Sequence, residues 1–85
     1  MQQTLQKFAN HLRKRGSSEY TIYDYCRSIQ KIFTDLGKNW LEVTSSEIED
    51  LVFSRTCSIA TKQKYLAQMR SFLNFCYAKG FHPLS

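Results

Sequence analysis

Apolar residues recur at helical spacing in four blocks of this chain, and glycine or short polar stretches separate the blocks. In residues 4–15, Leu5, Phe8, Ala9 and Leu12 share one face, and Gly16 suits the left-handed turn beyond a helix end. Ser17 or Ser18 can cap a second helix, in which Ile22, Tyr25, Ile29, Ile32, Phe33 and Leu36 keep the period as far as Gly37. Its opposite side carries Tyr20, Asp24, Arg27 and Lys31, with Tyr23 and Thr34 at the margin. Asp24 would repel an anion there, or orient Arg27 and Lys31 by pairing with them along the helix.

Residues 38–43 form a connection whose Trp40, Leu41 and Val43 are expected to plug the core. Thr44-Ser45-Ser46-Glu47 has the form of a capping box, in which the threonine hydroxyl accepts from the Glu47 amide and the glutamate reaches back to Thr44. The short third helix turns Ile48, Leu51 and Val52 inward and Phe53 outward, and ends near Arg55. A long fourth helix starts near Ser58 and runs to about Tyr77 on a stripe of Tyr65, Leu66, Met69, Phe72, Leu73 and Cys76. The projection puts Gln63, Lys64, Ala67, Gln68, Ser71, Asn74 and Phe75 outside, Arg70 on the boundary, and Lys62 toward the core side. Lys62 then either clears the core from the first turn or lays its stem over apolar surface with the ammonium in water. Gly80 allows a left-handed cap, with Phe81 placed for the accompanying apolar contact.

Eighty-five residues with ordinary hydrophobic and generous aromatic content suit one domain with a modest core and argue against disorder. Three glycines and one proline, all between the periodic blocks, punctuate an all-α chain. No stretch is long and apolar enough for a membrane span, and no secretory signal opens the chain. Three cysteines without short Cys or His spacing supply neither a disulfide framework nor a metal site. Cys26 and Cys76 read as small buried hydrophobes and Cys57 as a free thiol, which points to a reducing, cytoplasmic setting.

The net charge of +5 is unevenly spread. Residues 1–38 hold seven basic and three acidic side chains, residues 39–53 four acidic and no basic, and residues 54–85 five basic and no acidic. Basic ends around an acidic middle suggest one surface for a polyanion and another turned away from it, although solvated charge alone gives the same tally. Arg13-Lys14-Arg15 favours the dipole of the first helix and can also meet phosphate; the two roles are compatible. Glu42, Glu47, Glu49 and Asp50 have no histidine, nucleophile or metal partner nearby and suit a helix start instead. His11 reads as an edge residue and His82 as part of an exit from the domain. No phosphate loop, HExxH or GxSxG occurs, so the chain calls for no catalytic residue, metal or cofactor of its own.

Three stretches resemble the N-terminal core-binding domain of tyrosine recombinases, the phage-integrase type of site-specific recombinase. LQKFANHLRKRGSSEYTIYDYCRSIQKIF resembles the family's opening helix, Gly-x-Ser turn and Thr-Ile-x-x-Tyr run. LEVTSSEIEDLV resembles its Ile/Val-Thr-x-x-Asp/Glu-Ile element. SIATKQKYLAQMRSFLNFCYAKGFHPLS resembles its last helix and the proline-containing linker that follows. Two positions depart from the pattern: Glu19 stands where the family often has proline, and His82 precedes Pro83 where asparagine is usual.

The resemblance implies a compact four-helix SAM-like orthogonal bundle over residues 1–82, with 83–85 opening a linker to a C-terminal catalytic domain. That domain would carry the cutting chemistry, and none of the tyrosines here is implied as its nucleophile. The implied partners are double-stranded DNA held in a C-shaped clamp, the catalytic domain of the same chain, and other recombinase subunits in a tetramer on DNA, with no membrane. The family pattern turns the starts of the second and fourth helices to DNA, carrying over to Thr21, Tyr23 and Arg27 and to Thr61, Lys62, Lys64 and Arg70. The residues' own chemistry adds Lys31 and Gln63. Arg70 can serve an internal ion pair instead. A helical protein–protein interaction module with incidental basic charge is the competing reading, motivated by Phe53, Phe75 and the acidic third helix.

Overall fold

The computed structural model describes residues 1–81, so the expected exit at His82-Pro83 and the linker at 83–85 lie outside the described residues. Among the described residues four helices form in chain order: α1 (Gln2–Lys14), α2 (Glu19–Leu36), α3 (Ser45–Ser54) and α4 (Ile59–Lys79), with a 3₁₀ turn at Trp40–Glu42 between α2 and α3. Three of them start on a hydroxyl. Ser18 Oγ accepts the Thr21 amide, Thr44 Oγ1 accepts the Glu47 amide, and Ser58 Oγ accepts the Thr61 amide. The expected capping box at Thr44 is complete, because its amide donates to Glu47 Oε1 at 3.1 Å. The first helix starts two residues before Thr4, as the Leu5 amide already donates to the Met1 carbonyl at 2.9 Å.

The end of α4 follows from its last residues. Gly80 is left-handed at φ 72°, which lets the Phe81 amide reach the Cys76 carbonyl at 2.8 Å and the Gly80 amide reach that of Tyr77. Phe81 then packs on Phe75, ring centroids 5.9 Å apart, giving the apolar contact expected of such a cap.

The core is aromatic at its centre. Phe8 from α1 and Phe72 from α4 are fully buried and meet edge to face at 5.3 Å, while Phe33 and Trp40 close on Phe72 at 6.2 and 5.8 Å. Such ring pairs contribute about 0.5–1.5 kcal/mol each beyond the area they bury. Val43 is buried as expected; Leu41 is only half-buried and lies outside the core cluster.

α4 packs against each of the other three helices, and this overturns two expectations. Phe75 was expected on the polar side but is 9% exposed, against Phe8, His11 and Phe81. Gln68 was expected outside and is 3% exposed. A single-face projection assumes one buried side, whereas α1 covers Phe75 and α2 covers Gln68 beside the main stripe. Gln68 and Phe75 lie on that added arc, four residues before and three after Phe72 of the stripe.

Candidate nucleic-acid interface

Ser18 and Ser58 build the same N-terminal turn on α2 and α4. In each, the serine hydroxyl donates to the threonine hydroxyl three residues on, at 3.0 Å, while accepting that threonine's amide. Thr21 and Thr61 are therefore tied into caps and half-buried. Both helix starts leave amide groups and a positive dipole end at the surface, an arrangement that suits phosphate. Beyond the α2 cap, Tyr20 is 80% and Tyr23 64% exposed.

The two starts meet at one carboxylate. Asp24 Oδ1 lies 3.7 Å from Arg27 Nη2, its Oδ2 lies 3.5 Å from Lys64 Nζ, and the same oxygen accepts the Gln68 side-chain amide at 2.9 Å. Burial alone would raise the Asp24 pKa, but the Gln68 hydrogen bond and the charges of Lys64 and Arg27 outweigh it. The carboxyl is held below its ordinary value and stays ionised at neutral pH. Gln68 thus fixes Asp24 from below, and Asp24 draws one cation from each helix into a shared patch. Lys64 also lies 5.2 Å above the Tyr65 ring. Gln63 is exposed on the same first turns of α4.

Other expected site residues stand apart from this patch. Asp24 does not hold Lys31, which is two helical turns away; Lys31 instead pairs one turn on with Asp35, at 3.6 Å. Asp35 chiefly serves Arg55, whose Nη2 lies 2.6 Å away and ties α2 to the end of α3. Lys62 is half-buried and donates to the Phe53 carbonyl at 3.1 Å, over the Phe53 ring at 5.9 Å, so it closes the C-terminus of α3. Arg70 is exposed and makes no ion pair among the described residues. It rims a groove of about 110 Å³ between α3 and α4, floored by Ile48, Leu66, Met69 and Leu73 and edged by Glu49 and Asn74.

Within the run 13–15, Arg13 grips Glu19 with two hydrogen bonds, at 2.9 and 3.0 Å, and donates to Asn10 at 2.8 Å. It therefore pins the α1–α2 turn. Gln68 is the residue that sequence reasoning missed at this site. Its signal is the position of Gln68 and Phe75 at four and three residues from Phe72, on the flank of the apolar stripe.

Among the described residues no three His, Cys, Asp or Glu side chains converge as metal ligands, and no helix is long and apolar enough to cross a membrane. Residues 5–80 match the family described as "Phage integrase, N-terminal SAM-like domain". The chain is also similar to the tyrosine recombinase XerC of Histophilus somni (strain 2336), at 33% identity over 85 aligned residues, covering 89% of this chain and 28% of that protein. It therefore spans under a third of the length of the curated relative it matches. No solved structure matches.

Proposed function

The chain belongs to the phage integrase N-terminal SAM-like domain family, and on that footing we propose that it is the part of a site-specific tyrosine recombinase that grips duplex DNA. The observation that carries this reading is the Asp24 node, which gathers Arg27 of α2 and Lys64 of α4 beside two capped helix starts. Arg27 and Lys64 neutralise phosphates. Tyr23, Thr21, Thr61 and Gln63 lie on the same two helix starts and meet sugars or base edges. Lys31, Lys62 and Arg70 act further out on the same backbone, being held respectively by Asp35, by the Phe53 carbonyl and at the rim of the α3–α4 groove.

The strand-cutting chemistry belongs, on this reading, to a catalytic domain following in the same chain, and subunits assemble on DNA in the cytoplasm. Bound through non-specific contacts alone, the domain takes duplex DNA with a dissociation constant of roughly 10⁻⁴ to 10⁻⁶ M near physiological salt.

The test is a titration of random-sequence duplex at several salt concentrations with wild type and Lys64→Glu. The variant is expected to bind all sequences more weakly, and its log–log salt slope to flatten by about one unit per lost phosphate contact. An unchanged slope removes Lys64 from the interface. No binding by wild type at low salt favours a protein-interaction module instead, for which the 53% exposed Phe53 would be the anchor; Phe75, being buried, gives that reading no support.

A further inference from the structure

A second basic site lies where α1 crosses the C-terminal end of α4. Lys7, Asn10 and Lys14 from α1 and Lys79 from α4 rim an open concavity of about 360 Å³, with Phe75 and Phe81 beneath them. What sets this rim apart is its lack of counter-charge. Arg13, Arg27, Lys31, Lys38, Arg55 and Lys64 each lie within 4 Å of a carboxylate. Lys7, Lys14 and Lys79 have no such partner among the described residues, and no acidic side chain lines the concavity. The remaining cations without a carboxylate, Arg15, Lys62 and Arg70, lie outside it.

Helix dipoles account for Lys14 and Lys79, which stand in last turns. They do not account for Lys7, which sits in the middle of α1, its ammonium 4.6 Å from the Phe81 ring centroid. Asn10 accepts from Arg13 through Oδ1, which leaves its amide nitrogen as a further donor. Three ammonium groups held together without carboxylates attract a ligand carrying several negative charges.

We infer that this concavity binds the phosphodiester backbone of nucleic acid. Lys7 and Lys14 are seven residues apart, about 10 Å along α1. That separation is enough for the two ammonium groups to meet separate phosphates of one strand. A protein partner would need an aromatic or aliphatic anchor pocket at the centre, and here the aromatic floor is closed: Phe75 is already buried and Phe81 is covered in part by Lys7. A rim of donors over a closed floor is the pattern of sequence-independent backbone contact. Lys79 lies 15 residues beyond Lys64 on α4, about 22 Å along its axis. At that separation the concavity meets phosphates other than those near Asp24.

The inference rests on the reading of the chain as a DNA-binding domain, and the experiment separates the two. Binding to a random duplex of about 20 base pairs is measured across a salt series for wild type, Lys7→Gln/Lys14→Gln/Lys79→Gln, and Arg27→Gln/Lys64→Gln. Thermal melts verify that the variants fold. The triple variant is expected to lower the log–log slope by about 2 to 3 units, since each lost phosphate contact removes about 0.9. A wild-type slope in the triple variant, with a lowered slope in the double variant, overturns the inference and leaves the DNA reading standing. No salt-dependent binding by wild type overturns both. Poly-glutamate binding tighter than the duplex, and lost in the triple variant, overturns the inference in favour of an acidic protein segment.

Discussion

Replacing Asp24 by asparagine should make the domain less stable and bind DNA more tightly. The carboxylate sits 3.5 Å from Lys64 and 3.7 Å from Arg27, and both cations are about half exposed. Pairs of that kind are worth roughly 0.2–1 kcal/mol each, so together they withhold about 0.4–2 kcal/mol from a competing phosphate. Removing the charge returns that amount to DNA binding, a gain of roughly 2- to 30-fold at 1.4 kcal/mol per factor of ten. It also removes a negative charge that repels the backbone.

The folded state loses in the same substitution. Asparagine still accepts from Gln68, but a hydrogen bond to a charged acceptor worth about 1.5–3 kcal/mol becomes a neutral one worth about 0.5–1.5 kcal/mol. Adding the two ion pairs, stability should drop by about 1–3 kcal/mol, with about 4–8 °C in melting temperature for each kcal/mol in a domain of this size. The pH profile carries the same signature. Because the Asp24 pKa is depressed in the folded state, its stabilisation is present above the ordinary value of 3.8 and lost as pH falls through the lower folded value. Wild type should therefore show a steeper acid limb than Asp24→Asn. Fluorescence anisotropy with a labelled random duplex, paired with thermal melts over pH, measures all three effects. Weaker binding by Asp24→Asn with an unchanged melt would refute the reasoning and make the carboxylate an orienting group.

Two further outcomes test the packing of α4. Phe75→Ala should cost about 3–5 kcal/mol in urea unfolding, as for other buried aromatics, whereas Phe53→Ala should change stability by no more than about 0.5 kcal/mol; similar values for the two would contradict the buried position of Phe75. Burial pushes the Cys76 thiol up to about 11, so roughly a thousandth of it is ionised at pH 8. Alkylation followed by mass spectrometry should label the half-buried Cys57 in the native protein and Cys76 only under unfolding conditions, and prompt native labelling of Cys76 would contradict its place in the core.

The residues that set backbone conformation were legible because their chemistry is local. Ser18, Thr44, Ser58 and Gly80 act within three or four positions of themselves, and the structure uses each as a cap. The apolar faces of α1 and α2 were legible for a related reason, since their buried apolar residues keep to one helical period. What the chain did not disclose is tertiary. The burial of Gln68 and Phe75 depends on where α2 and α1 cross α4, and no spacing within α4 states that position.

The same distinction explains the candidate interface. Charge tally and family resemblance mark Arg27 and Lys64 one by one, yet their meeting depends on Asp24, forty residues before Lys64, and on Gln68 beneath it. A buried amide here has a cost, because Gln68 Oε1 finds no partner among the described residues, and neither does the buried Ser28 Oγ of α2. Replacing Gln68 by leucine would remove an unpaired buried oxygen and keep the volume, which taken alone favours stability. It would also leave Asp24 without the donor that holds it, releasing Arg27 and Lys64 to move independently. On this argument Gln68→Leu is near neutral in unfolding and, like Asp24→Asn, tightens DNA binding by freeing both cations for phosphate, which separates the hold on the patch from the strength of the core.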